Sequence, residues 1–382
     1  MYNTVAFLRY LYFKIKMLML IKELISDINN LAPFALQEDY DNAGLLVGSM
    51  EAEAVKGLVA VDVTPLILSE AVQKNCNVVI SHHPLIFGGL KNVTDSTETG
   101  KMIAFAVKND INIIALHTNL DNVAHGVNHI LAQKLGIRNT TILQPAKNML
   151  RKLVTFCPVQ FTQEITEALF EAGAGHIGKY DSCSYKVSGE GTFRAGEGTH
   201  PFVGLQGQVH HEPEDRIETI FPFYLEKNII SALIKSHPYE EVAYDIYPIT
   251  NSNPEIGAGM IGELDAETES LKFLESVKKA VGIGCLRYTK HIPKKVRKIA
   301  ICGGSGSFLI KQAMAAGADV FLTGDLKYHD YFLPYGNMIL ADIGHYESEQ
   351  FTKELIFTLL NEKFANFALL QSELDTNPIN YL

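Results

Sequence analysis

The sequence predicts an α/β fold in which a host domain, built from a parallel-type sheet covered by helices, carries an inserted ferredoxin-like α+β domain. Three observations predict this fold. Helix and strand patterns alternate from about residue 20, and the short strands are rich in Val and Ile on both faces. The alternation is then interrupted once, between about residues 146 and 252. Alternation of apolar strands with helices is typical of a parallel sheet that is covered on both faces.

The elements of the host follow from local patterns. Residues 20–31 are apolar at helical spacing and end before Pro33, so a helix is expected there. The last element, 348–364, also has a helical pattern. Short β-rich runs between these helices predict strands at 57–63, 77–80, 112–116, 296–302, 319–322 and 337–341.

The interruption has its own order of elements. A strand at 152–158, a helix at 162–172, a β-rich region at 182–211, a helix at 225–236 and a strand at 241–248 give the β-α-β-β-α-β order of a ferredoxin-like domain. The predicted divisions are an N-terminal extension (1–19), the N-terminal half of the host (20–145), the insert (146–252) and the C-terminal half of the host (253–382). The extension could equally be part of the first helix. His210, His211 and His237 in the insert are expected at the solvated surface.

Composition excludes several classes of protein. The 33 Lys and Arg against 43 Asp and Glu give a net charge of −10, which makes nucleic acid an unfavourable partner. Five scattered cysteines without a Cys-x-x-Cys pair argue against a disulfide framework and favour a cytoplasmic location. No run reaches the roughly 18 to 20 apolar residues of a membrane helix, so no membrane association is expected.

Residues of the types that bind metals follow three of the predicted strands. Ligands of parallel sheets bind beyond the carboxyl ends of the strands, so these positions are informative. The residues in question are His82, His83, His117, Asp121, His345 and Glu349. A single histidine at a strand end is more often solvated than a metal ligand. Four imidazoles and two carboxylates at three strand ends nevertheless favour a metal site.

Spacing indicates how the residues would be used. His117 and Asp121 are four residues apart, as are His345 and Glu349, so each pair shares one face of a helical turn. Six ligands exceed the needs of one tetrahedral ion and suggest two ions that share a carboxylate. Nitrogen and oxygen ligands without a thiolate leave zinc, manganese and iron(II) open.

Five stretches carry a resemblance to a known family: residues 41–48, 81–84, 117–121, 323–330 and 341–349. Together they resemble the Nif-three-like dinuclear metal-centre proteins, also called GTP cyclohydrolase I type 2 homologues. The resemblance implies that the six residues above hold two divalent ions, with Glu349 as the bridge, and that the protein forms a toroidal homohexamer. The insert, through residues 237–248, resembles the PII- and CutA-like domains of the longer members.

Two further features have open interpretations. Asp325 and His329 follow another predicted strand and are candidate catalytic residues beside the metals; a helix-capping Asp and an exposed His are the alternative. The Gly-rich segment 303–307 could cradle an anion through free backbone N–H groups, or form a tight turn between a strand and a helix.

The expected chemistry is hydrolysis. Two divalent ions outweigh two carboxylates, which leaves a positive centre that favours a small anionic or phosphorylated ligand and lowers the pKa of bound water towards about 7. The leading hypothesis is a metal-dependent hydrolase of a phosphorylated or nucleotide-like small molecule, GTP cyclohydrolase-like by family name. The alternative is a non-catalytic metal-binding regulatory or scaffold assembly whose insert senses a small molecule. A third hypothesis is that the protein is a metal chaperone or a metal store.

Overall fold

The computed structural model describes residues 19–364 and 367–382. Its contacts divide the chain into two compact units. The host unit contains the described residues up to Gln144 together with those of Gly257–Leu382, and the inserted unit is Pro145–Ile256. The insert predicted from the sequence, 146–252, differs from this unit by one residue at the start and four at the end. The predicted extension, apart from Met19, lies outside the described residues.

The elements are numbered in chain order. The α-helices are α1 (Ile21–Leu31), α2 (Pro65–Gln73), α3 (Glu98–Lys108), α4 (Thr118–Asp121), α5 (Val127–Lys134), α6 (Thr162–Glu171), α7 (Glu226–Ser236), α8 (Ser270–Val281), α9 (Ile310–Ala315), α10 (His345–Glu349) and α11 (Thr352–Lys363). The strands are β1 (Met19–Leu20), β2 (Gly44–Val47), β3 (Glu53–Ala54), β4 (Lys56–Ala60), β5 (Val78–Ser81), β6 (Asn112–Ala115), β7 (Arg138–Pro145), β8 (Leu150–Pro158), β9 (Ser184–Arg194), β10 (Val209–Pro222), β11 (Tyr244–Ile249), β12 (Gly257–Glu269), β13 (Arg287–Tyr288), β14 (Lys295–Ser305), β15 (Val320–Gly324), β16 (Ile339–Asp342) and β17 (Ala368–Gln371).

The first large sheet of the host unit has the order β17-β4-β5-β6-β2. Strands β17, β4, β5 and β6 pair in parallel, and β2 pairs antiparallel with β6. Every residue of β5 and β6 is buried, as expected for strands that are covered on both faces. Helices α2 and α3 contact these strands and contribute Ile67, Leu68 and Ile103 to the same core.

The second large sheet has the order β13-β16-β15-β14-β12-β7. Its centre, β14-β15-β16, is parallel, whereas β12 and β13 pair antiparallel with β14 and β16. Phe273, Val277 and Val281 of α8 pack with the apolar side chains of these strands. A separate cluster around Leu309 and Phe321 contributes a further part of the host core.

The prediction of a single parallel-type host sheet was wrong, because the host contains two mixed sheets. The sheets exchange strands: β17 follows all of the second sheet in the sequence yet pairs with β4, and β7 precedes the insert yet belongs to the second sheet. Strand patterns in a sequence identify strands but not their partners. The two sheets together with their helices give the mixed α/β architecture.

The inserted unit has one antiparallel sheet with the order β11-β8-β10-β9. Helices α6 and α7 pack together, and Leu169, Phe221 and Leu233 lie in the core beneath them. The predicted β-rich region 182–211 resolves into β9, a loop and the start of β10. His237, expected at the surface, is buried, and its Nε2 atom pairs with the carbonyl of Phe156 at 2.9 Å.

None of the described helices is long and apolar enough to cross a bilayer.

Candidate metal centre

Strands β4, β5 and β6 of the first sheet end side by side at the same edge. Register pairs Ala60 of β4 with Ser81 of β5, and Ser81 with Ala115 of β6. Because parallel strands in this register end together, the residues that follow them meet at one edge of the sheet. Those residues are Asp62 after β4, His82 and His83 after β5, and His117 after β6, with Asp121 one helical turn later in α4.

The second sheet contributes residues that lie at or beyond the ends of β14, β15 and β16. Asp325 follows β15, and His345 and Glu349 begin and end the short helix α10, which follows β16. Gly344 precedes this helix with φ +83°, a left-handed conformation that glycine adopts without steric cost. The i,i+4 spacing predicted for His345 and Glu349 therefore occurs on one helical turn, where their side chains lie 3.1 Å apart.

All six residues predicted as metal ligands come together. The Nε2 atom of His82 lies 3.6 Å from Glu349 Oε1 and 3.8 Å from Asp121 Oδ1. The Nε2 atom of His83 lies 3.0 Å from Glu349 Oε2. The ring centroid of His117 lies 5.3 Å from that of His82. Glu349 therefore contacts ligand-type atoms from both sheets, which is the position that a bridging carboxylate would need.

Each of the four histidines uses Nδ1 in a hydrogen bond that points away from this centre. His82 Nδ1 donates to the carbonyl of Leu116 at 2.8 Å, which fixes the proton on that nitrogen. Carboxylates accept from the other three at 2.7 Å: Asp62 from His83, Asp41 from His117, and Asp325 from His345. Such pairing fixes the ring orientation and leaves Nε2 as the metal-binding atom.

The residues present fit a divalent cation. Three groups of residues each bring their ligand atoms within 4.8 Å of one another. The groups are His82-His83-His117, His83-His345-Glu349 and His82-Asp121-Glu349. His82 Nε2 and Asp121 Oδ1 are buried without any hydrogen-bond partner in the described chain. Unpaired buried polar atoms are costly, and a cation would satisfy both. The cluster can hold a metal ion.

Burial and neighbouring charges shift the pKa values of several residues in the cluster. Burial and the nearby Glu349 carboxylate raise the pKa of Asp121, because two buried negative charges repel each other. Burial would lower the pKa of His83, but hydrogen bonds to Asp62 and Glu349 raise it to about 10. A hydrogen bond to Glu349 raises the pKa of His345 to about 9. Protons on the imidazoles thus supply positive charge that a metal would replace.

Five of the six predicted ligand residues, all except His82, line a cavity of about 690 Å³. Glu38, Asp62 and the aromatic rings of Tyr40, Phe87 and Phe308 line it beside the cluster. The Phe87 ring meets His117 edge-on, with 5.4 Å between centroids. No lysine or arginine occurs among the lining residues, all of which lie in the described chain. The carboxylates of Glu38, Asp62 and Glu349 outnumber the protonated imidazoles of His83 and His345 in this lining, so we expect affinity for an anion to depend on bound metal.

The Gly-rich segment 303–307 has a packing role. The N–H groups of Gly303, Gly304 and Gly306 donate to side-chain oxygens of the host unit, at 2.8 to 2.9 Å, so none of these three is free for an anion. A Cβ atom on Gly304 would lie 2.3 Å from Glu349 Oε1. The glycine thus leaves room for the Glu349 carboxylate, and the tight-turn interpretation applies.

The two candidate catalytic residues have different surroundings. Asp325 accepts the hydrogen bond from His345 Nδ1 and is half exposed. His329 is exposed on the short helix Tyr328–Phe332, where its ring lies against Tyr328 and Phe332. Neither residue lines the cavity. A catalytic role for either stays a prediction.

Sequence reasoning missed the carboxylates that orient His83 and His117. Asp62 follows β4 and could have been found by the same strand-end argument as His82. Thr376 donates to its second oxygen at 2.6 Å. Asp41 follows no strand, so only the fold shows its pairing with His117 and Thr118. Burial opposes ionisation of Asp41, but these hydrogen bonds prevail and lower its pKa.

The sequence of this chain matches a known protein family over most of its length. A family model described as Duf34/NIF3 (NGG1p interacting factor 3) matches residues 19–378. The chain belongs to the DUF34/NIF3 family. The resemblance inferred from the motifs is thereby confirmed, and membership in the NIF3 family extends over both units.

Relatives in the NIF3 family align over nearly the whole chain. A Halalkalibacterium halodurans protein named GTP cyclohydrolase 1 type 2 homolog is 36% identical over 359 residues, which cover 92% of this chain and 96% of the relative. A Bacillus subtilis protein of the same name is 36% identical over 370 residues, which cover 94% and 98%.

Two solved structures are also similar. The crystal structure of a Bacillus cereus protein related to NIF3 has a TM-score of 0.85 at 38% identity and covers 95% of this chain and 99% of its own. A Staphylococcus aureus protein has a TM-score of 0.76 at 31% identity with the same coverage. The mixed α/β architecture is therefore shared with solved NIF3-related proteins.

Proposed function

We propose that this NIF3-family protein is a metal-dependent hydrolase of phosphorylated or nucleotide-like small molecules. His82, His83, His117, Asp121, His345 and Glu349 would hold two divalent ions, zinc, manganese or iron, with Glu349 between them. The observation that carries the proposal is the pair of buried, unpartnered atoms, His82 Nε2 and Asp121 Oδ1, beneath a cavity with room for a small molecule. Two ions would supply Lewis acidity for a phosphoryl oxygen and lower the pKa of bound water.

The protein's own residues would position the reactants. Asp62, Asp41 and Asp325 hold three imidazoles in place through their Nδ1 hydrogen bonds, so the ligand set needs little rearrangement. Phe87 and Phe308 are half or more exposed at the cavity and present apolar surface to a ligand. A ring-bearing substrate with an anionic group would meet both features, since the ring can pack on the aromatic side chains.

The test is a screen of phosphoesters, nucleotides and cyclic amides with protein loaded with zinc, manganese or iron(II). We expect turnover that a chelator abolishes and that returns with added metal. Inorganic phosphate should bind the metal-loaded protein and not the chelated one, because without metal the carboxylates that line the cavity outnumber its protonated imidazoles. Phosphate binding that is indifferent to metal would contradict the electrostatic basis of the proposal.

A second function, a non-catalytic metal-binding regulatory assembly, is favoured by one observation. Asp325 is engaged with His345 and His329 lies outside the cavity lining, so neither candidate general acid faces the proposed substrate. This assembly would show saturable small-molecule binding without metal-dependent turnover. The hydrolase requires turnover, so the same screen separates the two functions.

We also propose that the protein assembles as a toroidal homohexamer, which the family resemblance supports. The inserted unit would be a ferredoxin-like, PII- or CutA-like module: its chain order β8-α6-β9-β10-α7-β11 and antiparallel sheet support the ferredoxin-like part. Light scattering of the purified protein tests the assembly, with a mass near six chains expected. A stable monomer or dimer would contradict it.

A further inference from the structure

The inserted unit contains a cavity of its own, whose lining differs from that of the candidate metal centre. Its volume is about 300 Å³, at the low end of the roughly 300 to 1,000 Å³ of small-molecule sites. It is lined by the end of β9, the loop after it, Glu214 of β10 and the segment after α7. The cavity therefore lies within the inserted unit.

Three aromatic rings form one corner of this cavity. The centroid of Tyr239 lies 6.2 Å from that of Phe193 and 6.3 Å from that of Phe202, and the planes are tilted by 56° and 47°. Phe202 is held in turn by the edge of Phe161, 5.5 Å away, and is 47% exposed. All three rings line the cavity, and an aromatic ring attracts a cation that lies over its face within about 6 Å of the centroid.

A fixed carboxylate stands beside the rings. The Tyr239 hydroxyl donates to Glu214 Oε1 at 2.8 Å. The other oxygen packs on the bare backbone of Gly191, where a Cβ atom would lie 2.0 Å from it. Both contacts hold the Glu214 carboxylate at the edge of the aromatic corner. Its negative charge adds to the attraction of the ring faces for a cation.

The other charged side chains that line the cavity also carry a net negative charge. Glu240 accepts the N–H of His200 at 2.9 Å, which joins the two loops that close the cavity, and Glu241 lines it as well. Arg194 is the one basic side chain among the lining residues of the described chain. Three carboxylates against one guanidinium leave the cavity negative, which disfavours an anionic ligand.

We propose that this cavity binds a small organic cation of the alkylammonium class, with the ammonium group against Tyr239, Phe193 and Phe202 and its charge balanced by Glu214. Alkylated ammonium groups suit aromatic walls because they cannot satisfy a full set of hydrogen bonds and are weakly hydrated. Recognition by several aromatic faces is the known mode for quaternary ammonium ligands. The proposal is independent of the metal centre and of hydrolysis.

The experiment compares choline with its uncharged isostere, 3,3-dimethyl-1-butanol, on the full-length protein. Titration calorimetry and ligand-observed NMR measure binding of each. Choline should bind saturably, and the isostere at least roughly tenfold more weakly, because it has the same shape without the charge. Equal binding of the two compounds, or no saturable choline binding at millimolar concentrations, would overturn the proposal.

Variants separate the aromatic contribution from simple loss of structure. Tyr239→Leu should weaken choline binding roughly tenfold, whereas Tyr239→Phe, which keeps the ring, should retain most of it. Glu214→Gln should weaken choline and leave the isostere unchanged. Tyr180→Leu, at an exposed tyrosine outside the lining, is the control and should bind as the unaltered protein does.

Failure of one variant to fold does not leave the question open. If circular dichroism shows that Tyr239→Leu is unfolded, Phe202→Leu replaces it, since this exposed ring contributes little to the core. Unchanged choline binding in a folded Phe202→Leu or Tyr239→Leu protein would contradict the aromatic site. If choline does not bind and inorganic phosphate binds the chelated protein in a manner that Arg194→Gln abolishes, Arg194 determines the ligand and the proposal is overturned.

Discussion

The Nε2 atom of His82 and the Oδ1 atom of Asp121 lie 3.8 Å apart, and neither has a hydrogen-bond partner in the described chain. His82 is fully buried, and its Nδ1 donates to a carbonyl, so Nε2 carries a lone pair. A lone pair that faces a carboxylate oxygen with no proton between them is an unfavourable arrangement. A divalent cation between the two atoms would satisfy both.

The first prediction concerns metal content. Protein purified without added metal should contain about two divalent ions per chain, measured by inductively coupled plasma mass spectrometry. His82→Ala should lose metal, since this imidazole contacts both Asp121 and Glu349. His176→Ala, at an exposed histidine of the inserted unit, is the matched control and should keep full occupancy. Full occupancy in His82→Ala would argue against the cluster.

The second prediction concerns the carboxylates behind the histidines. Asp62→Asn should weaken metal binding by roughly 10- to 100-fold, because the amide no longer fixes the His83 ring as an ionised carboxylate does. Competition with a chromophoric chelator measures the affinity. Asp95→Asn, at an exposed aspartate, should have no effect. Equal metal affinities in the two variants would show that Asp62 does not support metal binding through His83.

The third prediction concerns Gly304. This residue has φ +60°, and an added Cβ atom would lie 2.3 Å from Glu349 Oε1. Gly304→Ala should displace Glu349, reduce metal content and destabilise the host unit by about 1 to 2 kcal/mol from the backbone conformation alone. Gly189→Ala, with nothing within 4 Å of the added atom, is the control. Metal content and thermal unfolding of the two variants check the expectation.

The fourth prediction concerns the pH dependence of the inserted unit. Burial alone would raise the pKa of Asp215, but hydrogen bonds from Ser188 and Thr162 and the ammonium of Lys186 prevail and lower it. Because the pKa is lower in the folded state, this carboxylate stabilises the unit above its unfolded pKa. The stabilisation is lost as pH falls through the folded pKa.

Hydrogen exchange of peptides from β9 and β10 measures this effect locally. Protection should decrease in acid in the unaltered protein, and Asp215→Asn should be less protected at pH 7 with a flatter dependence on pH. An Asp245→Asn variant, at an exposed position of β11, should follow the unaltered protein. Identical acid profiles for Asp215→Asn and the unaltered protein would refute the assignment.

The strands, and the residues that cluster beyond their ends, were predictable from the sequence because burial and strand ends leave local signals. The run from Val78 to Ser81, followed by two histidines, indicated both a central strand and a site at its end. Spacing likewise indicated that His345 and Glu349 share a helical turn. These features depend on neighbouring residues only.

Features that depend on distant pairing were not predictable. The pairing of β17 with β4 joins segments about 300 residues apart, and no pattern within either strand specifies its partner. The same holds for the hydrogen bond between His117 and Asp41, 76 positions away. Gly304 appeared as a candidate anion cradle because its neighbour, the Glu349 carboxylate, is known only from the fold.

The most direct test of the dinuclear centre is anomalous X-ray diffraction from crystals of the protein loaded with manganese. Two anomalous peaks are expected within roughly 4 Å of each other, with Glu349 between them and with His82, His83, His117, Asp121 and His345 as the surrounding ligands. A single peak, or peaks that lie away from His82 and Glu349, would contradict it.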